Sequence, residues 1–237
     1  MRSNYFSSTG NLRKDAMMRL IQQITLLLRI SAAPNTVHEY IGGTPAKIVK
    51  VLNMLDDMHD DIVAIGVRHK IVVNAYAEAI RERFPDRPLF VVTGSTTLAA
   101  RRKLRKTLRE SKNGILLCTQ QSLPSSVNFE FVDNVIIPEL HYNNSRMSQF
   151  YMRFIRYNST REKNIYFVTY LGSIESNQMQ MVLAKEKLNL FMRGQDTDLD
   201  DIYERFGVDY DLLSVLMSRE MDENGKMYIK WGEQNIV

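Results

Sequence analysis

The sequence predicts an α/β domain built on a parallel sheet with helices on both faces. Five short apolar runs carry this reading: IVAIGV (Ile62–Val67), PLFVVT (Pro88–Thr93), GILLC (Gly114–Cys118), NVIIP (Asn134–Pro138) and NIYFVTY (Asn164–Tyr170). They are continuous rather than alternating, as strands are when helices cover both faces of the sheet. Stretches of helical period separate them, at Ile71–Phe84, Leu98–Ser111 and Arg146–Tyr157. Strand and helix in alternation is the βαβ pattern of a doubly wound sheet. Ligands of such sheets sit at the carboxyl ends of the strands, so the loops that follow the strands are the candidate functional segments.

Helices lead into this pattern. Leu20, Ile21, Ile24, Leu27 and Leu28 share one face of a helix expected from near Leu12 to Ile30. Pro34 and Gly42-Gly43 interrupt it. A second helix is expected after Thr44, read as an N-cap with Pro45 at the first helical position, burying Ile48, Val51, Leu52 and Leu55. After the last strand a helix is expected over Glu175–Arg193, closed by Gly194. The remainder, Asp196–Val237, reads as two short helices and a final strand in KMYIKWG. The division is therefore a helical lead-in over 1–60, an α/β unit over 61–194 and a small C-terminal appendage over 195–237.

Composition narrows the function classes. With 44% hydrophobic and 24% charged residues in 237, the chain has the balance of a globular domain. No apolar run reaches the length of a membrane span, and the best candidate, Ile24–Ile30, contains Arg29. The opening MRSNYFSS has no apolar signal-peptide core, so a cytoplasmic protein without a membrane partner is expected. One cysteine, Cys118, excludes an intrachain disulfide, and its apolar surroundings read as a small buried hydrophobe. His38, His59, His69 and His141 show no metal-ligand spacing, and DDMHDD (Asp56–Asp61) reads as a solvated loop; no metal site is expected. The net charge of +4 permits nucleic-acid binding, and the cations concentrate in RRKLRKTLRE (Arg101–Glu110) and RFIRYNSTREK (Arg153–Lys163).

The clearest constellation is QFYMRFIR (Gln149–Arg156). At about 100° per residue, Gln149, Arg153 and Arg156 fall on one helix face, and Met147, Phe150, Tyr151 and Phe154 on the opposite one. Two arginines a turn apart repel mildly unless an anion lies between them. A solvated polar face and an anion site are both open from spacing alone. The pattern Q-x-x-x-R-x-x-R resembles the last helicase motif of Swi/Snf-like superfamily-two ATPases.

Further segments resemble the same family in order. Glu139, Tyr142 and Asn143 of ELHYNNSRMSQ match the stretch before that Gln. TQQSLPSSVNF (Thr119–Phe129) aligns without gaps to the preceding motif, with Thr119, Ser122 and Asn128 at retained or near-equivalent positions and Leu123, Pro124 and Ser126 in place of its glycines. Met152 replaces an acidic residue, and Asn158-Ser159 a Gly-Gln. GSTTLAARR (Gly94–Arg102), VRHK (Val67–Lys70) and LGSIESNQMQMVLAKEKL (Leu171–Leu188) fill the remaining family positions. The resemblance runs from about Leu12 to Gly194.

This resemblance implies a RecA-like helicase C-terminal lobe. Arg153 and Arg156 are then arginine fingers, and Gln149 and Asn128 border the nucleotide. Arg68, His69, Lys70, Ser95, Thr96, Thr119, Gln120, Gln121 and Ser122 are then nucleic-acid contacts. The chain has no G-x-x-x-x-G-K-[ST] and no Asp-Glu motif at a strand end. ATP with Mg²⁺ is thus expected to be held mainly by a P-loop-containing first lobe, in the same or a separate chain, and this chain is not expected to hydrolyse ATP alone. The implied function is the C-terminal lobe of an ATP-dependent DNA helicase or translocase. The alternative is a degenerate RecA-like lobe that binds DNA or protein without catalysis. A Rossmann-type enzyme lacks its G-x-G-x-x-G after any strand.

Overall fold

A computed structural model describes residues 11–37, 40–123, 127–141, 144–155, 161–180, 182, 219–223 and 226–229. Helix α1 spans Asn11–Ala32 and ends ahead of Pro34. Helix α2 spans Ala46–Asp57, with Pro45 itself as the N-cap at φ −57° and ψ 141°. The helix starts one residue later than expected, because Pro45 takes the fixed φ of its ring together with an extended ψ. Strand β1 (Val63–Val67) leads to α3 (Lys70–Arg83), β2 (Leu89–Val92) to α4 (Leu98–Glu110), and β3 (Ile115–Thr119) to a short 3₁₀ turn, Gln120–Ser122. Strand β4 (Asn134–Ile137) precedes α5 (Asn144–Tyr151), and β5 (Asn164–Phe167) precedes a helix over residues 174–180.

The five strands form one sheet in the order β2-β3-β1-β4-β5, every pair parallel. All five expected strands are present; four are shorter than expected, and β3 is displaced by one residue, ending at Thr119 rather than Cys118. The central strands β1, β3 and β4 are buried throughout and the edge strands β2 and β5 only partly, which matches continuous apolar runs covered on two faces. Side chains alternate between two cores. Val63, Ile65, Val67, Ile115, Leu117 and Ile136 meet α2 and α3 through Ile48, Val51, Leu55, Val73 and Ile80. Ala64, Leu116, Cys118, Val135 and Ile137 meet α4, α5 and the loop after β3 through Leu108, Met147, Phe150 and Phe129. Helix α2 of the lead-in thus shares a core with the sheet. Cys118 is fully buried, and burial pushes its thiol pKa up, as suits a small hydrophobe.

Two differences from the sequence expectation concern helix ends and the tail. Helix α5 stops at Tyr151 rather than continuing to Tyr157, and residues 152–154 form a turn. The Arg153 carbonyl, which an α-helix would offer to a donor four residues on, accepts the Phe129 N–H at 3.0 Å. Phe154 is fully buried, packed edge-on to Phe150 at 5.3 Å and beside Phe129 at 6.0 Å. Ring burial and this tertiary hydrogen bond outcompete helix propagation. In the tail, the expected final strand is β7 (Met227–Ile229), paired antiparallel with β6 (Arg219–Met221), where no strand was expected. The two short helices expected there fall outside the described residues, as does the end of the helix expected to reach Arg193.

Gly66 sets how closely α5 approaches the sheet. A Cβ built there falls 2.3 Å from Phe150 Cε1 and Cζ. Gly66→Ala is therefore expected to push α5 off β1 and to destabilise the protein by roughly 1–3 kcal/mol, the usual cost of overpacking a core. Urea unfolding checks this, and pairing the change with Phe150→Leu should recover part of the loss.

Candidate nucleic-acid interface

Because all five strands run parallel, the segments following them emerge along one edge of the sheet. Arg68, His69 and Lys70 follow β1; Ser95 and Thr96 follow β2; Gln120, Gln121 and Ser122 follow Thr119, the last residue of β3. The sheet topology thus gathers the expected nucleic-acid residues at one rim. They differ in what they present to solvent. Lys70, Ser95 and Gln121 are exposed, and Arg68, His69 and Thr96 are half-buried. Thr119, Gln120 and Ser122 are buried.

The inward-facing members hold the rim together. Gln120 Nε2 donates to the carbonyls of Gly66 (3.2 Å) and Glu139 (2.7 Å), joining the ends of β3, β1 and β4. The hydroxyls of Thr119 and Ser122 bond to each other and close the 3₁₀ turn. After β2, Thr93 Oγ1 and Ser95 Oγ lie 2.9 Å apart, and the Thr93 N–H donates to Thr96 Oγ1 at 3.1 Å. Thr97 then caps α4 by accepting from the Ala100 N–H at 3.2 Å.

A buried carboxylate, Glu139, lies beneath the loop after β1. It accepts from the backbone N–H of Arg68 at 2.7 Å and of His69 at 3.1 Å, and its other oxygen pairs with His69 Nδ1. Satisfying a buried carboxylate with several donors is what makes its burial tolerable. A second buried pair sits nearby. Lys47 Nζ contacts both Glu175 oxygens at 2.5 and 2.6 Å and donates to the Pro138 carbonyl at 3.1 Å, while Glu175 Oε2 accepts the Tyr170 N–H at 3.0 Å. Burial pushes the Lys47 pKa down and the Glu175 pKa up, and their mutual attraction opposes both shifts. This pair fastens the first turn of α2 to the end of β4 and to the start of the helix that follows β5. His141 is also buried; desolvation, aided by the positive charges of Arg68 and Arg146, depresses its pKa to about 4.

At the far end of the same region, the Phe129 N–H bond to Arg153 sets the Asn128 segment beside the turn that follows α5. Arg105 Nε donates to the Asn128 carbonyl at 2.5 Å, and Arg105 Nη2 pairs with Glu130 at 2.8 Å. Arg153 is half-buried and Gln149 exposed, while Met147, Phe150 and Phe154 are buried against the sheet. Met147, Phe150 and Phe154 thus lie on the packed side and Gln149 on the open side, as expected, whereas Tyr151 and Arg153 are both half-buried and Arg153 stands in a turn and not on the helix. Arg156, Tyr142 and Asn143 lie outside the described residues.

No protein-family model matches the chain, and no curated protein matches it. Solved structures do. The C-terminal part of the Fun30 ATPase domain superposes with TM-score 0.54 at 22% identity, over 68% of this chain and 54% of that one. The Sulfolobus solfataricus SWI2/SNF2 ATPase core in complex with dsDNA gives TM-score 0.60 at 15% identity, over 91% of this chain and 44% of that one. The C-terminal domain of the Sulfolobus solfataricus SWI2/SNF2 ATPase gives TM-score 0.60 at 13% identity, over 91% of this chain and 87% of that one. The chain has the fold of a Swi2/Snf2 ATPase C-terminal lobe. It spans about half the length of the first two of these structures.

Within this lobe, sequence reading found the rim but not what holds it. Glu139 was visible only as a motif position, and Lys47 and Glu175 gave no signal, their pairing spanning 128 residues. Among the described residues no helix is long and apolar enough to cross a membrane, and no group of three or more His, Cys, Asp or Glu is placed to hold a metal.

Glu139→Gln is expected to leave fewer acceptors for the Arg68 and His69 amides and to cost the lobe about 1–3 kcal/mol. Hydrogen exchange should quicken at those two amides more than across β1. His141 yields a pH dependence. Its folded pKa of about 4 lies below the ordinary 6.5, so the unfolded chain takes up its proton first as pH falls. Stability is then full above about pH 6.5 and declines toward pH 4, by up to about 3 kcal/mol from this residue. Denaturation at pH 7 and pH 5 should show a smaller decline in His141→Gln than in the wild type.

Proposed function

We propose that this chain is the C-terminal lobe of an ATP-driven DNA helicase or translocase. One observation carries the reading. A parallel sheet with the fold of a Swi2/Snf2 C-terminal lobe gathers the loops after β1, β2 and β3 at one rim, and the Phe129–Arg153 hydrogen bond joins the Asn128 segment to the arginine turn. In this reading Arg68, His69, Lys70, Ser95, Thr96 and Gln121 contact backbone phosphates, and Thr119, Gln120 and Ser122 shape the rim from beneath. The neighbouring core solved with dsDNA supports a duplex as the track. Residues 61–194 form the lobe proper, 1–60 its helical lead-in and 195–237 an appendage, and the protein works in the cytoplasm.

Arg153 and Arg156 supply positive charge to the phosphates of ATP held with Mg²⁺ on a P-loop lobe, in the same or a separate chain, with Gln149 and Asn128 at the nucleotide's border. The residues fit that share of the site. A guanidinium stays charged and binds phosphate oxygens bidentately but cannot ligate a cation. ATP brings the two lobes together, the arginines stabilise the charge that develops on the transferring phosphoryl group, and product release lets the lobes part. A binding module without catalysis is the competing reading. Leu123, Pro124 and Ser126, standing where the family resemblance places glycines, favour it.

ATP turnover decides between them. Combined with a P-loop lobe and duplex DNA, the wild-type chain is expected to hydrolyse ATP. Arg156→Ala should slow turnover on the order of 10³-fold, and Arg153→Ala by a smaller factor. Wild-type turnover in both variants would favour the binding module.

A further inference from the structure

Helix α4 carries a charge pattern that its own stability does not require. Its inward side is Leu104 and Leu108, flanked by the half-buried Arg101 and Arg105. Its outward side exposes Arg102, Lys103, Lys106 and Arg109, with Glu110 the one acidic residue in the helix. No acidic residue occupies the first turn, where the helix dipole favours anions; Arg101 follows directly after it and Arg102 and Lys103 succeed that. Cations at i, i+4 and i+7, as at Arg102, Lys106 and Arg109, disfavour an isolated helix. Local pairing does not relieve them. Among the described residues Arg102, Lys103 and Lys106 form no ion pair, whereas Arg105 is tied to Glu130. Arg109 lies over the Phe131 ring at 5.9 Å, which props its guanidinium at the surface.

The position of this helix matters as much as its charge. It begins just after the Gly94–Thr97 segment, so its first turn adjoins the rim and its axis carries the cations away from it. The stripe from Arg102 to Arg109 is about 10 Å long at about 1.5 Å per residue. Cations spread over that length can each face a backbone phosphate of a duplex laid against the helix.

We propose that the outward face of α4, through Arg102, Lys106 and Arg109, is a second phosphate-binding strip that continues the strand-end rim and holds the backbone of duplex DNA along the flank of the lobe. This rests on the proposed function, since it takes the rim to face nucleic acid. The strip contributes affinity and salt dependence, and sequence preference lies elsewhere, because phosphates are the same at every step.

The test is fluorescence anisotropy of the full chain with a labelled DNA duplex over a salt series. Three proteins are compared: wild type, the strip variant Arg102→Gln/Lys106→Gln/Arg109→Gln, and the rim variant Arg68→Gln/Lys70→Gln. Glutamine keeps helix propensity close to that of Arg and Lys, and circular dichroism confirms the fold. The strip variant is expected to bind roughly ten- to a hundredfold more weakly at low salt, with the slope of log affinity against log salt reduced by about 2 to 3. A strip variant with wild-type affinity and slope overturns the inference; if the rim variant is weakened in the same series, the proposed function survives that failure. If neither variant differs from wild type, both fall. A labelled polyglutamate peptide separates the remaining partner class. Tighter binding of polyglutamate than of duplex at equal salt, lost in the strip variant, would assign the strip to an acidic protein surface and overturn the nucleic-acid assignment.

Discussion

The carboxylate of Glu139 is the constraint on which the rim depends. It sits at the end of β4, is 1% exposed, and receives the backbone N–H groups of Arg68 and His69 together with the His69 ring. Its own carbonyl receives the Gln120 amide, which also donates to Gly66. One residue therefore fixes the ends of β1, β3 and β4 relative to one another. A charge this deep is costly unless its acceptor sites are filled, and filling them dictates the path of the chain after β1. The geometry follows from that cost. The loop cannot swing outward without leaving a buried carboxylate short of donors. The exposed Lys70 and the half-buried Arg68 and His69 are presented from a backbone that is anchored at two successive amides.

A second polar anchor extends this logic to the helical lead-in. Lys47 reaches Glu175 and the Pro138 carbonyl from the first turn of α2, one residue before the Glu139 backbone. A buried ion pair gives little net stability, since desolvation offsets attraction, but removing one partner strands the other. Its consequence here is specificity of placement. Apolar packing of Ile48, Val51 and Leu55 alone would tolerate some sliding of α2 along the sheet, whereas the Lys47 ammonium accepts one docking position. The two anchors are close enough to influence each other, as Glu139 contributes to the shifts of both Lys47 and Glu175.

What the sequence discloses about this fold tracks the range of the interactions involved. The five strands are legible because burial on two faces writes itself as a local apolar run, and α2, α3 and α4 because one apolar stripe repeats at helical spacing. The rim is legible because a parallel sheet must bring all its strand ends to one edge. The end of α5 is not legible, since QFYMRFIR continues to scan as helix while a hydrogen bond from Phe129 captures the Arg153 carbonyl. Nor is the inward turn of Gln120: a glutamine in a polar loop after a strand reads as a surface donor. Its amide is instead committed to two carbonyls of neighbouring strand ends. Both misreadings share a cause. Each residue's partner is remote in sequence and polar, and such partners leave no periodic trace.

The shortened α5 changes how the proposed finger would work. An arginine on a continuous helix is positioned by that helix, and moves only when the helix moves. Arg153 stands in a turn whose carbonyl is held by Phe129, at the close of the segment that begins with Thr119 on the rim. Phe154 packs against Phe129 as well as Phe150, so the turn is bound to that segment by a hydrogen bond and by ring contact together. On the proposed reading, the stretch that meets DNA at Gln121 and the turn that meets ATP at Arg153 are parts of one packed unit. A shift in the rim on engaging a duplex would then reach the arginine through the core, because close-packed interiors transmit displacement instead of absorbing it. The substitution of Leu123 for a motif glycine acts in the same direction. Its side chain is buried in the core shared by Phe129, Phe150 and Phe154, which adds an apolar tie between the rim and the turn where a glycine would leave none.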